Sequence, residues 1–241
     1  MDGERLKRGI KRLAKRLQPD ESTSADIEGV CPADVEEAAT VVAKAFRPEN
    51  FTTAAFGGTD DRAAAGFRAL VGAQLRLAVE HTQPLFVARD GERGEIVGVA
   101  VLFRPGFEPS TSMVARTLVG RPRDALQFVR AVRLTGAKRV LAAHKAPSGV
   151  RETNYTLEYI AVRPDRQGER IGGQLLDAIH AFTDRDPGAT GVYLVTAGED
   201  TRDIYAAYGY ETLECRTDTR LHPTLRAWHM RRPRARPVRA L

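Results

Sequence analysis

Apolar positions along the chain recur at two different spacings, and the switches between them divide the sequence into elements. "ADVEEAATVVAKAF" (33–46) and "DRAAAGFRALVGAQLRLAVEH" (61–81) repeat apolar residues every three or four positions, which predicts helices. "PLFVAR" and "EIVGVAVLF", separated by "DGERG", predict a β-hairpin. Residues 110–145 return to a helical pattern, with interruptions expected at "GRPRD" and "TGAK". "NYTLEYIAV" (154–162) is a strand by its aromatic and β-branched content, ended by Pro164. A helix from Ile171 to Phe182 would bury Ile171, Leu175, Ile179 and Phe182. "GVYLVTA" (191–197) predicts a further strand, "DTRDIYAAYG" (200–209) a short helix, and "YETLEC" and "LRAWHM" closing strands. No internal repeat is visible. The fold class is α/β of the α+β type: one domain built around one sheet.

The ends differ from this body. Residues 1–24 form an extension in which Leu6, Ile10, Leu13 and Leu17 share a helical face amid Lys and Arg, followed by the linker "PDESTSAD". Such a helix suits docking on its own domain, an anionic membrane surface or a nucleic acid, and the pattern does not separate these. The domain itself is assigned to 25–233, and the proline-broken, arginine-rich 234–241 to a basic tail. The formal net charge is +6, but residues 1–17 and 231–241 carry +5 each, so the stretch between them is about −4. The basic total therefore implies no specific nucleic-acid partner, only tails able to touch anionic surfaces. The chain's 241 residues, 42% hydrophobic, suit one full-sized core. Its longest apolar run, "IVGVAVLF" (96–103), is too short to span a bilayer, and no apolar signal segment follows the basic N-terminus, which predicts a soluble, cytoplasmic protein. Cys31 and Cys215 lack zinc-site spacing and are expected to be small buried apolar residues.

Chemistry first becomes visible at "RPDRQGERIGGQLL" (163–176). Glycines opening a helix let an anionic ligand approach N–H groups that have no intrahelical acceptor, and the helix dipole adds to the attraction. A pyrophosphate suits that arrangement. Arg166 and Arg170 either supplement these donors or are solvated surface charges. The run lacks the Gly-Lys-Ser/Thr ending of a P-loop, and "GERIGG" does not have Rossmann glycine spacing.

Together with "YAAYGYE" (205–211), the run "IAVRPDRQGERIGGQLL" resembles the GNAT N-acetyltransferase superfamily. The cofactor loop of that family, Gln/Arg-x-x-Gly-x-Gly/Ala, corresponds to Gln167-Gly168-Glu169-Arg170-Ile171-Gly172, and its Tyr-x-x-(Leu/Tyr)-Gly-(Phe/Tyr) element to Tyr205–Tyr210. The resemblance is greatest to puromycin N-acetyltransferase-like members, through "AHKAP", "VRPDRQGERIG" and "RAWHMRRP". It covers about 138–233 closely and 25–137 in architecture only. Arg170 stands in place of the usual first glycine of the loop, and Thr201 where this branch often carries asparagine.

The resemblance implies a GNAT acyl-CoA N-acyltransferase fold: a central mixed, mostly antiparallel twisted sheet, splayed at the cofactor strands and flanked by helices. It implies acetyl-CoA as co-substrate, held between strands 154–162 and 191–197. Pantetheine amides would pair near Ile160, Ala161 and Val162, and the pyrophosphate would lie on the loop formed by Gln167, Gly168, Glu169, Arg170, Ile171, Gly172 and Gly173, with Thr201 nearby. Tyr205 occupies the family's proton-donor position; the alternative is a tyrosine packed on a helix face. Many family members carry an acidic residue where Glu158 stands. Strict alternation would put Glu158 on the face shared with Ile160 and Val162, opposite Tyr159 and Ala161. A carboxylate on a central strand needs a reason, either as base for the attacking amine or as partner of a nearby Arg or Lys. His144 and His229 stand alone and His180 is expected on the exposed side of its helix, so no metal is implied. Residues 104–150 would wall a pocket for a small-molecule amine. Protein lysine or N-terminal acetylation, a non-catalytic acyl-CoA-binding role and a basic-tailed polyanion binder remain open readings, and the oligomeric state is not readable.

Overall fold

The computed structural model describes residues 26–29, 31–91, 94–217 and 226–235. The basic N-terminal extension (1–24) and most of the C-terminal tail lie outside the described residues.

Seven strands form one sheet: β1 (Asp26–Gly29), β2 (Leu85–Arg89), β3 (Ile96–Phe103), β4 (Tyr155–Val162), β5 (Gly191–Thr196), β6 (Glu211–Thr217) and β7 (Arg226–Pro233). Their order is β1-β2-β3-β4-β5-β7-β6. Every neighbouring pair is antiparallel except β4 and β5. The helices are α1 (Val35–Ala45), α2 (Asn50–Phe56), α3 (Asp61–Glu80), α4 (Thr111–Val119), α5 (Pro122–Ala131), α6 (Leu134–His144), α7 (Val150–Thr153), α8 (Ile171–Thr183) and α9 (Glu199–Ala207).

Two cores sandwich the sheet. On one face α1 and α3 cover Val87, Val99, Val101, Tyr159 and Ala161; on the other, α8 covers Ala100, Leu102, Leu157, Val192 and Leu194. β3 is buried on both faces, which is why its apolar run is unbroken rather than alternating. Local signals set several boundaries. Asp60 caps α3 by accepting from the Ala63 N–H at 2.7 Å, and Ser110 caps α4 from Met113 at 3.2 Å. Pro122 opens α5 at a position where its missing N–H costs nothing.

The predicted elements are present, with α2, α7 and the edge strand β1 added. The 110–145 stretch breaks at Gly120–Arg121 as expected, but its second break falls at Val132–Arg133, and "TGAK" lies inside α6. Gly136 is helical because α6 crosses α2 there. A methyl group at Gly136 would overlap the Ala54 carbonyl oxygen and lie 3.0 Å from its carbon.

Three further expectations are corrected. Both cysteines are exposed. Cys31 sits in the turn ahead of α1, its N–H held by Asp34 at 3.0 Å, and Cys215 lies on the largely exposed edge strand β6. His180 is buried, not exposed, because the segment after α9 wraps α8 and places the Tyr210 hydroxyl 3.1 Å from His180 Nε2. At the C-terminus, the Arg234 N–H donates to Thr190 O at 2.9 Å and the Ala235 N–H to Asp184 at 3.0 Å, so the first residues assigned to the tail are tied to the body. Among the described residues, no helix is long and apolar enough to cross a membrane.

Candidate active site

The site grows from two irregularities in the sheet. The parallel pairing of β4 and β5 runs from Tyr155↔Val192 to Leu157↔Leu194 and then stops, leaving Glu158–Val162 and Val195–Thr196 without each other. A gap opens between the strands at that point. Across β4's other edge, the register with β3 slips: Val101 faces Tyr159 while Leu102 faces Leu157. Glu158 is therefore the extra residue of a β-bulge.

The bulge overturns the expected alternation. Glu158 does not share a face with Ile160 and Val162; its carboxylate turns toward α3, where Gln74 Nε2 donates to Glu158 Oε1 at 3.2 Å. The Tyr159 hydroxyl donates to the Oε1 of the same glutamine at 2.6 Å, fixing which end of the Gln74 amide faces the carboxylate. Burial pushes the Glu158 carboxyl above its usual range, opposed by the field of Arg151. Arg151 is itself paired with Glu108 at 2.5 Å, and among the described residues no Lys or Arg forms an ion pair with Glu158.

Beyond β4, Pro164–Arg166 make a 3-10 turn and Gly168 takes a left-handed φ of +91° with open space where a side chain would stand. Arg170 is also left-handed, at φ +63°, a conformation that costs a non-glycine residue roughly 1 kcal/mol. The first hydrogen bond of α8 is donated by Gln174 to Arg170 O at 3.0 Å, so the N–H groups of Ile171, Gly172 and Gly173 precede the helical ladder. Gly173 admits the Tyr208 ring, whose hydroxyl would lie 2.6 Å from an added Cβ. Arg166 is bound to Asp90 at 2.5 Å and Glu169 at 2.8 Å, so it braces the loop from outside.

A cavity of about 690 Å³ begins in the gap and runs under the helices of the first core. Ile160, Ala161, Val162 and Gln167 line it from one side, and Thr196, Thr201 and Tyr205 from the other. Glu158, Glu49 and His144 also line it, together with Phe46, Phe51 and Phe56. Gly168, Glu169, Arg170, Ile171, Gly172 and Gly173 are outside this cavity, with Gly168 exposed and Gly172 and Gly173 half-buried. Of the eleven positions expected to bind the cofactor besides Tyr205, the cavity thus joins Ile160, Ala161, Val162, Gln167 and Thr201 to both Glu158 and Tyr205.

Tyr205 is buried, and no hydrogen bond to its hydroxyl is made among the described residues. Burial, reinforced by the Glu49 carboxylate, pushes its ionisation well up, so it is a neutral O–H donor across the physiological range. His144 Nδ1 donates to Val140 O at 2.9 Å, and burial lowers its pKa to about 4, leaving a neutral ring tilted against Phe51 with centroids 4.1 Å apart. His229 Nε2 donates to Ala143 O at 2.9 Å and Nδ1 accepts from the Tyr193 hydroxyl at 2.5 Å, so both ring nitrogens are committed to packing α6 on β7.

Two lining residues escaped the sequence reading. Gln74 belongs to the buried stripe Phe67–Val71–Gln74–Ala78 of α3, and a polar residue in an apolar stripe was a usable signal. Glu49 lies in the unassigned stretch between two helices, where nothing in the pattern separates it from a surface charge.

Comparison with protein-family models returns no match, and comparison with curated proteins returns none either. Solved structures do match. Histone acetyltransferase HPA2 and related acetyltransferase from Corynebacterium glutamicum superposes with a TM-score of 0.63 at 22% identity, over 90% of this chain and 99% of that one. A GCN5-related N-acetyltransferase from Rhodopseudomonas palustris gives 0.51 at 13% identity, over 90% and 99%. Ard1 from Thermoplasma volcanium gives 0.52 at 14% identity, over 89% and 100%. The chain has the fold of the GNAT acetyltransferases: a mixed, mostly antiparallel sheet between helices.

Proposed function

We propose that the protein is an N-acetyltransferase of the GNAT superfamily, moving an acetyl group from acetyl-CoA to a primary amine by direct attack within a ternary complex, with a small molecule as acceptor. The observation that carries this reading is the continuity of one cavity from the gap between β4 and β5 to both Tyr205 and Glu158. The loop motif, the Tyr205–Tyr210 element and the likeness to GNAT structures support it. The "AHKAP" and "RAWHMRRP" segments favour the puromycin N-acetyltransferase-like branch.

The residues present fit acetyl-CoA. The edge of Ile160–Val162 that faces away from β3 has no strand partner and offers donors and acceptors to amides, and the N–H groups of Ile171, Gly172 and Gly173 point out of the positive end of a thirteen-residue helix, suited to a pyrophosphate. Bound there, acetyl-CoA would supply an activated thioester carbonyl at the Tyr205 end of the cavity. Glu158, held above its usual range, would take the proton of the attacking amine directly or through water, with Gln74 orienting the carboxylate. The neutral Tyr205 hydroxyl would donate toward the departing sulfur. The aromatic lining would exclude bulk water and so suppress hydrolysis. The cavity volume suits a drug-sized ligand, which favours a small acceptor over a protein chain.

Free-thiol release from acetyl-CoA, measured against a panel of small amines, lysine peptides and N-terminal peptides, tests the assignment. Saturable release with a small amine is expected. Tight CoA binding without release for any acceptor would instead make the protein a non-catalytic acyl-CoA binder.

A further inference from the structure

Glu49 is a cavity carboxylate that the chemistry above does not use. It stands immediately before α2, yet its side chain makes no capping bond to that helix, and only the Asn50 N–H acts on its carboxylate. No Lys or Arg among the described residues forms an ion pair with it. This sets it apart from Glu158, which has Gln74 as a partner and feels Arg151. Glu49 and Tyr205 line the same cavity, and the Glu49 carboxylate helps raise the ionisation of the Tyr205 hydroxyl.

A carboxylate withdrawn from water without a cation is costly, and burial here pushes Glu49 toward its protonated form. An ammonium entering the cavity would reverse that shift and supply the missing partner. The walls around it are apolar and largely aromatic: Phe46, Phe51, Phe56, Phe67 and Leu70. Such walls favour an apolar body and offer ring faces to a cation. Of the two cations that also line the cavity, Lys145 and Arg151, the second is paired with Glu108, and neither forms an ion pair with Glu49 among the described residues.

We propose that Glu49 anchors the ammonium of the acceptor beside Tyr205, and that the acceptor is a primary amine carried on an apolar, ring-sized body, an aryl-alkyl amine. This rests on the reading of the cavity as the acceptor site of an acetyltransferase. Glu158 then has the separate task of taking the proton once the nitrogen is in place.

The test is calorimetric titration of 2-phenylethylamine into the full-length protein with CoA bound. Glu49→Gln is expected to weaken binding by at least about 30-fold, as for removal of one partner of a buried charge pair. Glu49→Asp should fall between, and the neutral 2-phenylethanol should bind wild type and Glu49→Gln alike. Unchanged amine affinity in a Glu49→Gln protein with a native circular dichroism spectrum would overturn the anchor. Binding of a lysine peptide in preference to 2-phenylethylamine by the wild type would overturn the acceptor class. Thiol release from acetyl-CoA is read in parallel: a protein that binds the amine through Glu49 but releases no thiol defeats the transfer reading and leaves the anchor standing.

Discussion

Gly136→Ala isolates the acceptor half of the cavity from the cofactor half. The added methyl would overlap the Ala54 carbonyl oxygen, lie 3.0 Å from the carbonyl carbon and 3.6 Å from Ala55 Cα. These are backbone atoms inside α2, so no side chain can swing aside. Restoring contact to van der Waals distance requires α6 and α2 to separate on the order of 1 Å. Overpacking of this kind costs about 1–3 kcal/mol. For a chain of this size, each kcal/mol lowers Tm by about 2–4 °C, which places the expected drop at roughly 2–12 °C. Function should respond asymmetrically. α2 carries Phe51 and Thr52, and α6 carries Val140 and His144, all lining the proposed acceptor end, whereas Ile160–Val162 belong to β4 and the proposed pyrophosphate loop leads into α8. The KM for the amine should rise several-fold while that for acetyl-CoA stays within twofold. Scanning calorimetry and thiol-release kinetics read both, with Gly58→Ala as a control: a methyl there meets nothing within 4 Å, and its stability should hold within about 0.5 kcal/mol. A Gly136→Ala protein with unchanged Tm and unchanged amine KM would refute the close helix crossing and its role in shaping the pocket.

Other substitutions separate the remaining parts. Tyr205→Phe should lower kcat about 100-fold with little change in Tm, since the hydroxyl has no partner among the described residues whose loss would destabilise the fold; an unchanged kcat would remove Tyr205 from the chemistry. Arg170→Gly relieves a left-handed arginine at φ +63°, a gain of roughly 1 kcal/mol in the folded loop partly offset by the freer unfolded chain, and the acetyl-CoA Kd by calorimetry then shows whether the arginine aids or hinders binding. Because burial raises the Glu158 pKa, the folded state binds its proton more readily than the unfolded state, so its ionisation subtracts stability above the folded pKa and the penalty disappears as pH falls to the ordinary value of 4.5. Glu158→Gln should thus be more stable than wild type at pH 7, equal to it near pH 4, and slower by about 100-fold or more, and lower stability at pH 7 would contradict the assigned strain. His180 is shifted the other way, from 6.5 to about 4, so the stability of its neutral form is fully present above pH 6.5 and is lost as pH falls toward 4; urea melts across that range should steepen in wild type and flatten in His180→Gln.

The legible parts of this molecule are those whose cause is local. The hairpin, α1, α3 and α8 follow from apolar spacing over a dozen residues, and the loop after β4 from glycines within ten. What escaped was decided by partners distant in sequence. Gly136 reads as a helix breaker until Ala54 is known to press against it. His180 reads as solvent-facing on its own helix and is covered by Tyr210, thirty residues later. Glu158 follows strict alternation on paper, and the bulge that turns it toward Gln74 is a property of β3 and β4 together. Cys215 looks like a core residue by type, but among the described residues β6 pairs with β7 alone at the sheet edge, and the cysteine is exposed.

The same distinction runs through the site. Its cofactor side depends on topology: β4 and β5 are the sheet's one parallel pair, which forces the chain to cross through α8, and α9 follows β5 directly. Both helices therefore start at the carboxyl ends of the two strands that separate, and their positive ends converge on the gap. Gly168–Gly173 lie at one of these ends and Thr201 at the other, so the proposed acetyl-CoA site would draw on both short motifs. The acceptor side has no such rule behind it. Glu49, Gln74, His144 and Glu158 come from a loop, two helices and a bulge, each placed by packing rather than by connectivity. On the proposed reading, those residues can change without disturbing the strands assigned to the cofactor, so acceptor choice would be read from the cavity wall itself, beginning with the charge at Glu49.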